Sequence, residues 1–242
     1  MTRRAAAWLF GGWAKFFRDL TRAMDLVLVA GRPVWRSAPL PFISTVAAWW
    51  LYVPIHELLH VAGCLVVGGT VTELQLSPLY GGTLLSRWLP FVTPGQGYAG
   101  RLTGFDTGGS DVRLILIDLA PCLLTVVVGV PLLVAIASGR LPARRAALLF
   151  GPAVVLSAAP FLSVAGDGYE IASVLVTALL TDRWLAIRTD DLVGLLRPGG
   201  LPGEVATAAG FALIAASAVV SAVISGWIYR AGAVFGRRFA VR

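Results

Sequence analysis

The stretch His-Glu-Leu-Leu-His at residues 56–60 lies within an apolar run at 40–67 and decides how the rest of the chain is interpreted. Residues four positions apart share one face of an α-helix, so His56 and His60 point to one spot about one turn apart. Glu57 falls beside this pair, close enough to take a proton from a water molecule at a metal ion without being a ligand itself. The pattern predicts a two-histidine metal clamp with an adjacent general base.

The surroundings of this motif favour the same interpretation. Its flanks, residues 47–55 and 61–67, are as apolar as a membrane span. An ionisable side chain at the centre of a bilayer costs about 2.5–3.5 kcal/mol on insertion scales, so three such groups within one turn need a partner. A bound cation fits two imidazoles and a carboxylate, and Zn²⁺ is the expected one. Both histidines of the chain are in this motif.

Composition places the chain among integral membrane proteins. Of 242 residues, 57% are hydrophobic and 14% are charged, which lies well outside the composition of a soluble globular domain. The net charge of +7 comes from basic residues at the chain ends and in loops. That distribution is typical of contact with anionic lipid head groups, so membrane lipids are an expected partner and nucleic acid is not. Cys64 and Cys122 lie in apolar runs and indicate no disulfide framework.

Four apolar runs are long enough to cross a bilayer, whose hydrocarbon core of about 30 Å needs about 20 apolar residues. They lie at residues 40–67, 114–138, 146–165 and 205–229. A further apolar helix at 169–180 is too short to cross alone, and is predicted to continue the third span beyond a kink or to lie along the interface. The predicted fold is an all-α integral membrane protein with about four transmembrane helices.

The N-terminal segment has a different character. Residues 5–30 interleave aromatic and aliphatic side chains with charged ones in the middle of the segment. Such a segment is too charged to span, so it is predicted to be an amphipathic helix lying in the membrane interface. The chain then divides into an interfacial segment at 1–39, a membrane core with the His-Glu motif at 40–180, an extramembrane loop at 181–204, and a last span with a basic tail at 205–242.

The segment between the first two spans, residues 68–113, is rich in Gly and Pro. Residues 70–78 alternate as a short strand does, and Tyr-Gly-Gly at 80–82 is typical of a turn. A strand near a membrane cannot leave its backbone open to lipid, so it is predicted to pair with itself or to enter a protein-lined cavity. Its unpaired edge could hold an extended peptide by strand addition. Residues 95–109 fit an ordinary extramembrane loop equally well.

Two imidazoles and a water molecule leave a catalytic zinc one protein ligand short. If every span crosses, the end of the third span lies at the same face as the histidine pair, and Gly-Asp-Gly at 166–168 is at that end. Asp167 is the first candidate, because the two glycines free the backbone to aim the carboxylate inward. Asp118 is the alternative ligand, although a carboxylate near a helix start is also favoured by the helix dipole. Asp118 and Glu170 could instead interact with a ligand side chain and orient it toward the metal without binding the metal themselves.

Together these features resemble the site-2 protease family of intramembrane zinc metalloproteases. The resemblance covers roughly residues 45–175. It rests on His-Glu-Leu-Leu-His-Val-Ala-Gly-Cys at 56–64, the strand and turn after it, the Ala-Pro of the next span, and Pro160 ahead of the Gly-Asp-Gly. The resemblance implies that zinc is bound by His56, His60 and Asp167, that Glu57 is the general base, and that the substrates are transmembrane helices cut within the membrane.

The chain also departs from the family's pattern. Ala158 and Ala159 stand in the stretch where the family's aspartate motif usually has an Asn. Residues 120–124, Ala-Pro-Cys-Leu-Leu, lack the Asn of the corresponding Gly-Pro motif. Such amides could hold the substrate backbone, so their absence bears on proteolysis more than on metal binding.

Two functions follow from these observations. The first is a zinc-dependent intramembrane endopeptidase whose partner is a transmembrane protein substrate. The alternative is a non-proteolytic membrane subunit derived from such a protease, in which a metal or the bare polar cluster holds helices together within a membrane complex. The intact Glu57 favours the protease, because a scaffold has no use for a general base, and the missing Asn residues favour the subunit.

Charge distribution predicts the orientation in the cell membrane. With four spans, the segments on the side of the termini hold 14 Lys and Arg residues, against 6 in the segments on the other side. The first set is residues 1–39, 139–145 and 230–242, and the second is 68–113 and 181–204. The positive-inside rule then places both termini in the cytoplasm and the site nearer the outer face. The family resemblance implies a site nearer the cytoplasm, and an extra crossing in the charged N-terminal segment would reconcile the two at a high desolvation cost.

Overall fold

The computed structural model describes residues 3–29, 37–188, 192–197 and 199–239. Within these residues the α-helices are α1 (Arg3–Met24), α2 (Pro39–Val66), α3 (Gly82–Leu85), α4 (Asp111–Leu119), α5 (Cys122–Leu124), α6 (Val130–Ala137), α7 (Ala143–Leu162), α8 (Asp167–Thr177), α9 (Leu192–Leu195) and α10 (Ala208–Phe239). The strands are β1 (Thr70–Leu76), β2 (Val92–Pro94) and β3 (Gly100–Asp106). Turns of π-helix occupy Asp25–Val29 and Thr125–Gly129, and turns of 3₁₀-helix occupy Pro78–Tyr80, Ser163–Ala165 and Asp182–Ile187.

Among the described residues, three helices are long and apolar enough to cross a membrane: α2, α10, and α7 continued to Ala165. The pair formed by α4 and residues 122–137 passes the same test together, although it bends by 43°. Pro121 lies at this bend, and proline has no backbone N–H with which to continue the helical hydrogen bonds. The fold is therefore mainly helical with three or four helices able to span a membrane, in line with the four apolar runs.

Helices α2 and α7 lie side by side and run in the same direction. Near their starts, Ser44 Oγ donates a hydrogen bond to the Leu148 carbonyl at 2.6 Å and accepts one from Gly151 N at 3.1 Å. Near their ends, His56 Nε2 lies 3.1 Å from Oδ2 of Asp167, which follows α7. The histidine pair and Asp167 therefore meet at one end of the bundle, as the alternation of spans predicts.

The segment between α2 and α4 folds into a sheet with strand order β2-β1-β3. Strand β1 pairs in parallel with β2 and antiparallel with β3, with Leu76 opposite Gly100. Leu74 and Leu76 are fully buried, so one face of the sheet forms a core. The strand predicted at 70–78 is confirmed as β1. The fold is mainly helical and not all-α, and residues 95–109, which fitted an ordinary loop equally well, contain β3. Strand β1 lies between two partners and has no unpaired edge, so the edge strands of the sheet are β2 and β3.

The other face of the sheet is polar. Glu73 on β1 accepts hydrogen bonds from Gln75 at 3.1 Å, from Thr93 of β2 at 2.9 Å and from Thr103 of β3 at 3.0 Å. These donors hold the pKa of the Glu73 carboxyl below its usual range, because they stabilise the ionised form. One carboxylate therefore links all three strands on the exposed face.

Helix α1 occupies the segment predicted to be an interfacial amphipathic helix. Gly12 lies so close to the Gly226 backbone that a Cβ atom would clash there, and Trp13 Nε1 donates to the Ala222 carbonyl at 2.7 Å. Both contacts fall in the middle of α10. Phe16 is buried in a core that it shares with α6, α7 and α10. The helix is present, but it packs along the sides of the bundle and not across the ends of the helices, and its place relative to a membrane surface stays a prediction.

The predicted extramembrane loop at 181–204 is folded onto the bundle where it is described. Trp184, Ile187 and Leu195 are buried together with Tyr169 of α8 and Val205 before α10. The apolar stretch after Gly-Asp-Gly forms a helix of its own, α8, separated from α7 by a single 3₁₀ turn. The break between α7 and α8 is what places Asp167 at the start of a helix.

Candidate metal centre

His56, His60 and Asp167 form a compact group, as the sequence predicts. Each offers one ligand atom, and these atoms lie within 4.8 Å of one another. The two Nε2 atoms are 3.1 Å apart, and Asp167 Oδ2 lies 3.1 Å from His56 Nε2 and 3.6 Å from His60 Nε2. His60 is only 6% exposed. Three candidate ligand atoms therefore converge on one point at the edge of the apolar bundle.

The spacing of these atoms fits a zinc ion. A tetrahedral Zn²⁺ with ligands at about 2.0–2.1 Å holds neighbouring ligand atoms about 3.3–3.4 Å apart. The three observed separations, 3.1, 3.1 and 3.6 Å, lie on both sides of that value. Two imidazoles and one carboxylate are also the protein ligands of many catalytic zinc sites, in which the fourth position is left for water. The residues present therefore fit the metal that the sequence predicts.

Both imidazoles are held from behind by hydrogen bonds to Nδ1. His60 Nδ1 lies 3.0 Å from the Ile117 carbonyl oxygen, and His56 Nδ1 lies 2.7 Å from the Tyr52 hydroxyl. A carbonyl only accepts, so His60 Nδ1 carries the proton, and the lone pair of Nε2 in the neutral ring faces the other two ligands. Such outer hydrogen bonds are a regular feature of metal-binding histidines, because they fix the tautomer and the orientation of the ring.

Asp167 is also positioned by its neighbours. It is the first residue of α8, where the helix dipole favours a negative charge. Ser163 Oγ donates to Asp167 Oδ2 at 3.2 Å. The next residue, Gly168, packs so tightly that a Cβ atom there would lie 2.7 Å from Ser221 Oγ and 2.8 Å from the Ser163 carbonyl oxygen. The second glycine of the Gly-Asp-Gly stretch is therefore needed for the close approach of α8 to α10.

Glu57 lies beside the ligand group and is covered by the sheet. A Cβ atom on Gly100, the first residue of β3, would lie only 2.7 Å from Cδ of Glu57. Among the described residues, no hydrogen bond ties up the Glu57 carboxylate, whereas each of the three ligand side chains has one. The carboxylate is thus placed next to the site and left available for a proton, which suits a general base.

Asp118 and Glu170, the other two candidates, lie behind the ligands. Asp118 Oδ1 is 4.0 Å from Nδ1 of His60, on the side of the ring that faces away from Nε2. Both carboxylates line a cavity of about 430 Å³ that ends at His60 and Asp167. We call this space the polar cavity. The geometry gives Asp118 a place behind His60 and Asp167 a place among the ligands.

The sequence did not single out three neighbours of the site. Tyr52 and Ser163 each lie four residues before a ligand, and that spacing could have indicated them. Gly100 lies more than 40 positions from Glu57 in the sequence. Its role depends on how the sheet folds back over α2, for which the chain carries no local signal.

Comparison with known proteins gives no match to a family model, a curated protein or a solved structure. The resemblance to site-2 proteases therefore depends on the residues described above.

Proposed function

We propose that this protein is a zinc-dependent intramembrane endopeptidase of the site-2 protease type that cleaves transmembrane helices. The observation that carries the proposal is a carboxylate without a hydrogen-bond partner among the described residues, Glu57, next to three converging ligand atoms at the end of an apolar bundle. A cluster that only tied helices together would need the ligands alone. The additional base is what hydrolysis requires.

The chemistry assigns a separate task to each residue. A bound zinc ion would polarise the scissile carbonyl and lower the pKa of a water molecule. His56, His60 and Asp167 would hold that ion with one position open. Glu57 would accept the proton of the attacking water and pass it to the nitrogen of the leaving amine as the peptide bond breaks. Gly100 would leave the Glu57 carboxylate room to make both transfers.

The surface of α2 supports a membrane-embedded substrate. Many of its apolar side chains are exposed, for example Phe42 at 69% and Leu65 at 57%. A transmembrane helix lying in the lipid could therefore reach the helix that carries His56 and His60 without first entering the bundle. The edge strand β3, whose first residue Gly100 lies against Glu57, could then hold the unwound substrate segment by strand addition.

The test is cleavage of a co-expressed model transmembrane substrate by the wild type and by Glu57→Gln, with zinc measured in both purified proteins. Glu57→Gln keeps the size and the hydrogen bonding of the side chain but removes the base, so it should retain zinc and lose about 10²–10⁴-fold in turnover. Glu204→Gln, which changes an exposed carboxylate outside the sheet and the site, is the matched control and should cleave normally. Equal cleavage by Glu57→Gln would end the proposed mechanism.

The alternative function is a non-proteolytic membrane subunit in which the metal or the polar cluster holds helices together. The observation that favours it is the absence of the family's Asn residues, at Ala158–Ala159 and at residues 120–124. It predicts that neither the wild type nor Glu57→Gln cleaves substrate, while His56→Ala weakens the association of α2 with the rest of the bundle.

We propose that the N-terminus faces the cytoplasm of a cell in whose membrane the protein is embedded. Four crossings place the C-terminus there too and turn the site outward, whereas a fifth crossing by α1 would turn the site to the cytoplasm. The packing of α1 along the sides of the bundle is compatible with the second arrangement.

The test labels intact cells with an impermeant maleimide, using Thr2→Cys and Ser110→Cys in a background without Cys64 and Cys122. Labelling of Ser110→Cys alone supports four crossings, and labelling of Thr2→Cys alone places the N-terminus outside.

A further inference from the structure

Charged side chains from several elements line the polar cavity beside the candidate metal centre. Its walls come from β3, α4, α8 and the turn at 182–188, and its inner end is formed by His60 and Asp167. Six lining residues other than histidine carry charge: Arg101, Asp111, Asp118, Asp167, Glu170 and Arg188. The cavity therefore connects polar connecting segments with the ligands at the end of the bundle.

Two of these charged residues, Arg188 and Asp111, form an ion pair with each other. Arg188 Nη1 lies 3.0 and 2.9 Å from the two carboxylate oxygens of Asp111, and Arg188 Nε also donates to Thr177 Oγ1. This pair fastens the turn at 182–188 to the start of α4. Its charges are matched within the chain, so it has no need of a ligand.

Asp118, by contrast, is buried with one carboxylate oxygen that has no hydrogen-bond partner among the described residues. Its side chain is almost completely buried at the inner end of the cavity, with the whole residue only 5% exposed. Among the described residues, its Oδ2 atom has no hydrogen-bond partner. Its other oxygen lies 4.0 Å from His60 Nδ1, whose proton is directed at the Ile117 carbonyl. An ionised carboxylate buried in this way is costly, and either a proton or a cationic partner relieves that cost.

We propose that the polar cavity is a specificity pocket that receives a lysine or arginine side chain of the substrate, and that Asp118 is the residue that selects it. The proposal rests on the proposed proteolytic function. Leu102 and Leu114 offer apolar wall to the methylene stem of such a side chain, whose charged end would reach the carboxylate. Only the His60 ring separates Asp118 from the ligand atoms, so the basic residue lies next to the scissile bond. Lys and Arg flank transmembrane helices mainly on the cytoplasmic side, so such a pocket would mark that end of a substrate in the five-crossing arrangement, in which the site faces the cytoplasm.

The experiment measures binding, so that it does not depend on turnover. The full-length Glu57→Gln protein, purified in detergent and loaded with zinc, is titrated with two fluorescent peptides that differ only in carrying Lys or Gln at one central position. The Lys peptide should bind at least about tenfold more tightly, because removing one partner of a buried charge pair typically costs more than that. The additional change Asp118→Asn should abolish the preference, and Asp182→Asn, which removes an exposed carboxylate outside the cavity, should leave it intact.

Two results would overturn the proposal. The first is equal binding of the two peptides by the protein with Asp118 intact, which needs no Asp118 variant to fold. The second is an Asp118→Asn variant that keeps the preference for Lys but loses zinc affinity in a chelator competition, which would make Asp118 a positioning residue of His60.

Cleavage of the two peptides by the wild type separates the specificity pocket from the proteolytic function. A preference in binding without cleavage supports the pocket against the protease, and cleavage without preference supports the protease against the pocket.

Discussion

Two polar clusters lie within the apolar bundle, and they balance charge in different ways. The first surrounds Asp19 of α1, which is 7% exposed. Lys15 Nζ lies 2.6 Å from Asp19 Oδ2, and the Tyr229 hydroxyl donates to the same oxygen at 2.7 Å. The second is the candidate metal centre, in which one carboxylate faces two imidazoles.

The difference between them is whether the chain itself supplies the cation that balances the buried carboxylate. At Asp19 the chain supplies its own cation, so the group is complete without a ligand. At the metal centre the two histidine Nε2 atoms face each other at 3.1 Å, and both cannot carry a proton at that distance. An external cation held by His56, His60 and Asp167 would balance this group, and the outer hydrogen bonds of the rings suit such a ligand set.

The largest effect should come from removing a ligand. His56→Ala is expected to abolish stoichiometric zinc, because one histidine and one carboxylate do not make a catalytic zinc site, and Asp167→Ala should lower the zinc content. Elemental analysis of the purified proteins measures this. Asp19→Asn, which changes the other cluster, should retain the zinc of the wild type. If Asp118→Ala removed the metal while Asp167→Ala kept it, the ligand assignment would be wrong.

The ligands could be predicted from the sequence because local spacing and the alternation of spans determine them. His56 and His60 share a helix face, and Asp167 follows the span that runs parallel to theirs. Strand β3 could not be predicted in the same way, since Gly100 and Gly104 remove the alternation that identifies a strand. Gly104 lies against Thr72 and Glu73 of β1, so its small size serves the pairing of the strands.

The packing of α1 was also hidden from the sequence. Charged residues in the middle of a segment indicate a surface helix, and that inference treats each charge as isolated. In the structure Lys15 neutralises Asp19 one turn away, and Tyr229, more than 200 positions later, completes the group. Long-range contacts of this kind decide whether a charged helix lies outside the bundle or within it.

A smaller effect is expected from the hydrogen bond that holds His56. Tyr52→Phe removes the hydroxyl that lies 2.7 Å from His56 Nδ1 and leaves the ring in place. The zinc affinity should fall about 10–100-fold, because outer partners of metal ligands contribute that much. Competition with a chelator of known affinity measures the change. Tyr98→Phe in the loop between β2 and β3, where the hydroxyl donates to Gln75, is the matched control and should bind zinc as the wild type does. An unchanged affinity in Tyr52→Phe would mean that packing alone orients His56.

The smallest effect should come from the Asp19 cluster. It should appear in the free energy of unfolding and not in zinc binding. Tyr229→Phe removes one hydrogen bond to Asp19, while Lys15 keeps the carboxylate paired, so the free energy of unfolding should fall by only about 1 kcal/mol. Denaturant unfolding in detergent measures it, with Tyr98→Phe as the control for loss of a hydroxyl elsewhere. The zinc content of Tyr229→Phe should equal that of the wild type, because the Asp19 cluster contributes no atom to the ligand group. Loss of zinc in this variant would contradict the comparison, since it would show that the two clusters depend on each other through α10, which carries Tyr229 and also packs against Gly168 beside Asp167.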